Sequence, residues 1–166
     1  MKVNIALLTV TDTRTFDNDK SGNILEQKIK EAKHSLIDRK ICKDNKDAIV
    51  LILNKWLKNE KIDVIVTTGG TGLTGRDITP EALEEIADKH IPGFGEVFRN
   101  LSLKTVGTSA IQSRACAVLS NGKYVFALPG SSGGVTDAWE GILKHQLDIN
   151  HKPCNFVELF PRLKEK

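Results

Sequence analysis

The sequence predicts an α/β layered domain on a mostly parallel sheet. Three observations carry that prediction. The runs Val3–Val10, Ser35–Cys42 and Val64–Thr68 alternate with helical stretches whose apolar residues recur every three or four positions. The first and third of these runs are almost wholly apolar or β-branched, as strands covered on both faces are. Asn121-Gly122, flanked by Arg114–Ser120 and Lys123–Leu128, is a two-residue hairpin signal, so one strand runs antiparallel to the rest. At 166 residues the chain suits one domain, 1–166, with a substantial core.

The elements follow in order. Val3–Val10 ends in Thr11-Asp12-Thr13 and a polar loop. Ser21 is placed to cap a helix whose inner face is Leu25, Ile29 and Ala32. After Ser35–Cys42, Asn45 caps a helix that turns Ile49, Ile52, Leu53, Trp56 and Leu57 inward. Val64–Thr68 is the next strand. Thr79-Pro80 then opens a helix, with Thr79 as N-cap and Pro80 at the first helical position. A further helical piece from about Phe94 to Leu103 shows the stripe Phe94, Val97, Phe98 and Leu101. Its short neighbours supply little cover, which predicts an interface between copies. Past the hairpin, Pro129-Gly130-Ser131-Ser132-Gly133-Gly134 is a flexible loop before a last helix with Val135, Ala138, Trp139, Ile142 and Leu143 inward. From about residue 150 an irregular tail carries Pro153 and Pro161.

Composition excludes several classes. A net charge of +3 is mild and dispersed, with no basic block interleaved with aromatics, so nucleic acid is not a predicted partner. No apolar run approaches a membrane span and no signal peptide is recognised. Cys42, Cys116 and Cys154 are an odd, widely spaced set, which predicts free thiols and a cytoplasmic setting.

The most informative stretch is Val64–Pro80. Its strand empties into Gly69, Gly70, Gly72 and Gly75, followed at once by Arg76 and Asp77. Glycine admits positive φ and close ligand approach, and consecutive free N–H groups make an anion-binding concavity. The P-loop pattern is absent. A literal GxGxxG at Gly70, Gly72 and Gly75 raises a dinucleotide-dependent oxidoreductase as a remote alternative, but that fingerprint opens a helix directly, whereas here the helix begins near Thr79. In an open α/β sheet the loops beyond the strands' carboxyl ends form the pocket. Thr11 to Gly22, Gly69 to Asp77 and Pro129 to Gly134 therefore meet there.

Those loops hold no GxSxG elbow and none of the four histidines, so nucleophile–histidine mechanisms are not predicted. They hold Asp12, Asp19 and Asp77, with Glu81 close behind and the hydroxyls of Thr11, Ser21, Thr71 and Ser131. Such a set suits phosphoryl or nucleotidyl transfer with Mg²⁺, which rests on positioning and charge. Asp77 is the carboxylate expected to act. Asp19 is the one most readily read as a cap or salt bridge.

At these residues the chain resembles the molybdopterin-binding family of molybdenum cofactor biosynthesis, near relatives of which are the molybdopterin adenylyltransferases. The resemblance lies in Leu7–Arg14, Asp19–Gly22, Val66–Leu83, Pro92–Ser102, Ser109–Ala115 and Leu128–Gly134, and so spans nearly the whole chain. It implies a three-layer αβα sandwich. It also implies that molybdopterin is the substrate, adenylated on its terminal phosphate with Mg-ATP and release of pyrophosphate; the alternative within the same pathway is a molybdopterin-binding accessory protein without turnover. Carried over residue by residue, Gly69, Gly70, Thr71 and Gly72 hold the pterin phosphate, and Asp77 is the essential carboxylate and the implied Mg²⁺ ligand. Glu81 lies beside it, with Asp12 as a second catalytic carboxylate. Thr11, Asp12, Ser21 and Gly22 face the nucleotide, and Ser113, Arg114, Gly130 and Ser131 complete the pterin side. A trimer or hexamer is implied as well, with other enzymes of molybdenum cofactor synthesis as partners.

Overall fold

The computed structural model describes residues 1–165. Its strands are β1 (Asn4–Val10), β2 (Ser35–Cys42), β3 (Val64–Thr68), β4 (Lys89–His90), β5 (Cys116–Ser120) and β6 (Lys123–Leu128). They form one sheet in the order β2-β1-β3-β6-β5-β4. β1 pairs in parallel with β2 and β3, and β3 with β6. β5 is antiparallel to both β6 and β4, so it alone runs against the rest. At the hairpin, Asn121 and Gly122 take φ of 47° and 69°, the positive pair that a tight two-residue turn between twisted strands requires.

Period-two alternation sends each strand's apolar residues to two cores. On one face Ile5, Leu7, Val64, Val66 and Phe126 pack under α1 (Lys20–Glu31), α4 (Pro92–Val106) and the last helix. On the other, Ala6, Leu8, Val10, Ile65 and Val125 pack under α2 (Lys46–Leu57) and α3 (Thr79–Ile86). The three-layer sandwich is therefore present. The last helix, α5 (Ser132–Ala138), runs on through a π-helical turn (Trp139–Leu143) into Lys144–Gln146. Among the described residues no helix is long and apolar enough to cross a membrane.

Several sequence expectations are corrected. Asp19, not Ser21, caps α1, accepting the Gly22 N–H at 3.0 Å. Thr79 caps nothing; its hydroxyl donates to the Gly69 carbonyl at 2.8 Å. β4, which carries His90, was not anticipated, because both of its residues are exposed and leave no apolar signature. The tail holds a 3₁₀ helix (Val157–Arg162) preceded by Phe156, and Phe156 and Phe160 pack on Tyr124 at 4.5 and 5.8 Å. The expected interface stripe divides. Phe94 and Phe98 enter the core, Leu101 lies where a Cβ on Gly141 would meet it at 2.5 Å, and of the four only Val97 is largely exposed.

Candidate functional site

The chain leaves β1 for β2 on one side and returns to β3 on the other, so the sheet's switch point lies between β1 and β3. Ligands of open α/β sheets bind at that crevice, beyond the strands' carboxyl ends. The loops after β1 and β3 both open there.

The glycine loop is shaped by contacts that only glycine tolerates. Gly69 has φ of 99°, and a Cβ there would stand 2.2 Å from the Val10 carbonyl oxygen. Gly70 has φ of 67°, and a Cβ would meet the Thr79 hydroxyl at 2.4 Å. The Gly69 N–H donates to Leu128 O at 3.0 Å, and the Gly70 carbonyl accepts from Thr79 N at 3.0 Å. Among the described residues the Gly70 and Thr71 N–H groups donate to no backbone carbonyl outside the regular elements. Two adjacent amides thus have no backbone acceptor of their own, as in anion-binding turns. Gly75 makes no such contact, and α3 begins only at Thr79. The geometry of a dinucleotide fingerprint is absent.

Arg114 braces the loop from below. Its backbone N–H donates to Thr71 O at 2.9 Å. Its side chain donates to Gly72 O at 2.7 Å, to Asp77 O at 2.8 Å, and to both carboxylate oxygens of Glu81. Arg114 and Glu81, both expected to meet the pterin phosphate, are therefore occupied with each other and with the loop backbone. Arg114 holds Glu81 below the usual carboxylate range against the opposing effect of burial.

Asp77 folds back on its own turn. Its Oδ2 accepts from the Thr74 N–H at 2.9 Å and the Thr74 hydroxyl at 2.7 Å. Burial raises its pKa, but the Thr74 and Gly72 donors outweigh burial and hold the carboxyl below its ordinary value. Both Thr74 bonds fall on Oδ2. Arg76 does not pair with its neighbour Asp77. It reaches across to Asp12, whose Oδ1 also accepts the Asp44 N–H at 3.1 Å.

Asp44 is the site residue that sequence reasoning missed. Burial, then the charges of Asp12 and Asp77, push its carboxyl above the ordinary range. A Cβ on Gly70 would come 3.2 Å from Asp44 Oδ1, so this carboxylate borders the open amides. The missing signal was register. Val10 pairs with Cys42, so residues two beyond each strand end, Asp12 and Asp44, lie side by side.

Asp44→Asn tests this arrangement through stability and pH together. An acid whose folded pKa is raised binds its proton more tightly in the native state, so the stability it contributes is full below the unfolded pKa and is lost as pH rises through the folded pKa. At neutral pH the variant is expected to melt slightly higher than the parent while losing cation affinity. In the parent, as pH falls, Asp44 is the first of the three carboxylates to lose its charge. A lower Tm with cation affinity unchanged would remove Asp44 from the site.

The β1 loop is anchored rather than open at its far end. Asp19 is fully buried and accepts from Thr9 Oγ1 at 2.6 Å, Arg39 Nη2 at 2.9 Å and Ser21 Oγ at 3.3 Å. Burial pushes it up, but Thr9, the Gly22 N–H and Arg39 hold it below the carboxylate range. Asp19 is thus the structural carboxylate anticipated. Ser21 and Gly22 are also buried. Arg14 donates to Ser21 Oγ at 3.0 Å and to Gly130 O at 3.1 Å, tying the β1 loop to the loop after β6. Thr11 Oγ1 accepts from the N–H groups of Thr13 and Arg14 at 3.3 Å. Ser113 and Ser131 line a cavity of about 430 Å³ with Phe98, Ser102, Ser109 and Asp137, on the α4 side of the switch point.

Among the described residues no three or more His, Cys, Asp and Glu side chains could hold a metal ion unaided. Mg²⁺ is usually held by one or two carboxylates together with substrate phosphates. Three carboxylates beside open amides repel a bare polyphosphate, and the nearby guanidiniums of Arg76 and Arg114 are already paired. The all-oxygen donor set therefore fits a hard divalent cation that arrives with the substrate. Cys42 and Cys116 are unpaired, and burial pushes both thiols up to about 11, so they are inert.

Residues 6–149 match the family described as "Probable molybdopterin binding domain". Molybdenum cofactor biosynthesis protein B of Escherichia coli (strain K12) is 44% identical over 161 residues, covering 97% of this chain and 93% of that protein. A crystal structure of Molybdenum cofactor biosynthesis protein B aligns with 100% of this chain and 98% of its own, with a TM-score of 0.90 and 38% identity. The crystal structure of the tungsten cofactor synthesizing protein MoaB from Pyrococcus furiosus aligns with 87% of this chain and 92% of its own, at a TM-score of 0.78 and 35% identity. With a match running from within β1 to beyond the last helix, and relatives aligned nearly end to end, the chain belongs to the molybdopterin-binding family of molybdenum cofactor biosynthesis proteins.

Proposed function

We propose that this protein binds molybdopterin and adenylates its terminal phosphate with Mg-ATP, releasing pyrophosphate. The observation that carries the proposal is the positive-φ Gly69-Gly70 turn, whose Gly70 and Thr71 N–H groups have no backbone acceptor among the described residues, next to the carboxylates of Asp44 and Asp77. A terminal phosphate on those amides presents an oxygen to the α-phosphorus of ATP. The new bond joins that oxygen to the α-phosphorus, and the bond to the β-phosphate oxygen breaks, so pyrophosphate leaves. No protein base is required, since a phosphate monoester with a second pKa near 6 is already ionised at neutral pH. This accounts for a pocket without histidine. Mg²⁺ supplies charge neutralisation between the triphosphate and the carboxylates. The decisive assay combines the purified protein, molybdopterin, Mg²⁺ and ATP, with pyrophosphate measured. Molybdopterin binding without pyrophosphate would assign the accessory role instead.

The proposal includes a closed assembly of three or six copies in the cytoplasm. Its support is no longer Phe94 and Phe98. It is the exposed apolar set Val97, Leu103, Val106 and Ile111 along α4 and the following 3₁₀ turn (Gly107–Gln112). Light scattering coupled to size exclusion is expected to give a trimer or hexamer mass at micromolar concentration, and a monomer mass would reject it.

A further inference from the structure

We infer that Thr79 is a positioning residue, a buried hydroxyl that aims the amides of the glycine loop at the phosphate without touching it. The inference rests on the reading that the pterin phosphate sits on this loop, and adds what sets the loop's direction. Four consecutive loop carbonyls are held from the protein side, and two residues hold them all. Thr79 takes the first two: its Oγ1 donates to Gly69 O at 2.8 Å and its N–H to Gly70 O at 3.0 Å. Arg114 takes the next two: its N–H donates to Thr71 O at 2.9 Å and its Nε to Gly72 O at 2.7 Å. These peptides are trans. In a trans peptide the N–H points away from the carbonyl of the same unit. Holding the Gly69 and Gly70 carbonyls therefore turns the Gly70 and Thr71 N–H groups to the opposite face. Asp77 marks that face, since the Gly72 N–H is among the donors that hold its carboxylate.

The two bonds from Thr79 differ in kind. The Gly70 carbonyl is held by a main-chain N–H, whereas the Gly69 carbonyl depends on one side-chain hydroxyl. Gly69 and Gly70 both sit at positive φ, where glycine moves at no steric cost, so the peptide between them is free to turn once that hydroxyl is gone. A hydroxyl on a carbonyl also fastens folds in general, and the chain carries a control for that role. Ser120 Oγ donates to Ile86 O at 2.6 Å and is nearly as buried, but it lies at the hairpin end of the sheet, away from the site.

Calorimetry with molybdopterin and with ATP, joined to hydrogen exchange on the ligand-free proteins, tests the role. Thr79→Val keeps the shape and removes the hydroxyl. It is expected to weaken molybdopterin binding about five- to tenfold, the worth of one hydrogen bond, and to change ATP binding by less than about twofold. It is also expected to quicken exchange in the segment Val64–Leu83. Thr79→Ser, which restores the hydroxyl, is expected to match the parent. Ser120→Ala is expected to lower the melt comparably and to leave the binding of both ligands unchanged. Parent-like binding in Thr79→Val, no rescue by Thr79→Ser, or an equal loss of molybdopterin in Ser120→Ala overturns the inference. Hydrogen exchange separates it from the reading beneath it. If the parent binds no molybdopterin while Thr79→Val alone quickens exchange in the loop, the hold on the loop stands and the molybdopterin reading falls. Unchanged loop exchange in Thr79→Val overturns the inference whatever the protein binds.

Discussion

Asp77→Asn is expected to cut adenylation by roughly a hundred- to a thousandfold, the scale on which removal of one charge-stabilising group is felt, while leaving the protein folded. Asparagine keeps the shape, and its carbonyl can still accept from the Thr74 hydroxyl and N–H that now fall on Oδ2. The turn should therefore survive, at a cost of about 1 kcal/mol for exchanging a charged acceptor for a neutral one. What disappears is the carboxylate's negative charge. The pKa direction sharpens the test. The Thr74 and Gly72 donors hold Asp77 ionised below the ordinary range, so its charge is present at every pH where the protein would work. Lost turnover cannot then be ascribed to partial protonation in the parent. Single-turnover pyrophosphate release, compared with the thermal melt, is the measurement. Near-normal turnover in a folded variant would sink the assignment.

Much of this site was legible before any coordinates, and the reasons are local. β3 and its glycine loop announce themselves through composition, since a β-branched run followed by clustered glycines has few other uses. α2 was equally clear, because Asn45 caps it and its apolar residues repeat at helical spacing. What could not be read depended on partners distant in sequence. Arg114 looks like a free phosphate ligand in a string of residues. Only the packing of the segment before β5 against the loop reveals that its donors go to Gly72, Asp77 and Glu81. Ser21 looks like an exposed hydroxyl in a polar loop, yet Asp19 and Arg39 draw that loop's end into the interior. Arg76-Asp77 reads as a pair because the two are adjacent, whereas the backbone sends them to different partners. Side chains near each other in sequence were placed correctly as a group; their individual bonds were not, because each bond is settled by register and loop closure.

Gly70→Val is expected to weaken binding of the pterin phosphate by about a hundredfold, the equivalent of losing two amide hydrogen bonds to a charged group, and to affect ATP less. A valine at φ of 67° is strained whatever space surrounds it. Its Cβ would also displace the Thr79 hydroxyl, which lies 2.4 Å from that position and now holds the Gly69 carbonyl. Strain and the lost bond together cost about 2–4 kcal/mol, less than the stability of an ordinary domain of this size. The variant should fold and melt on the order of 10 °C lower. Gly69→Val would be a poor probe by comparison. Its Cβ would lie 2.2 Å from the Val10 carbonyl oxygen, a backbone atom of the central strand β1 that cannot step aside. Gly75→Val is the control within the same loop. A Cβ there meets nothing within 4 Å, so melt and binding should match the parent. That control also tests the dinucleotide alternative, whose fingerprint needs all of Gly70, Gly72 and Gly75. Calorimetry with molybdopterin and with ATP separately, on both variants, decides the matter. Equal loss for the two ligands in Gly70→Val would mean that one subsite, not two, opens on the glycine loop.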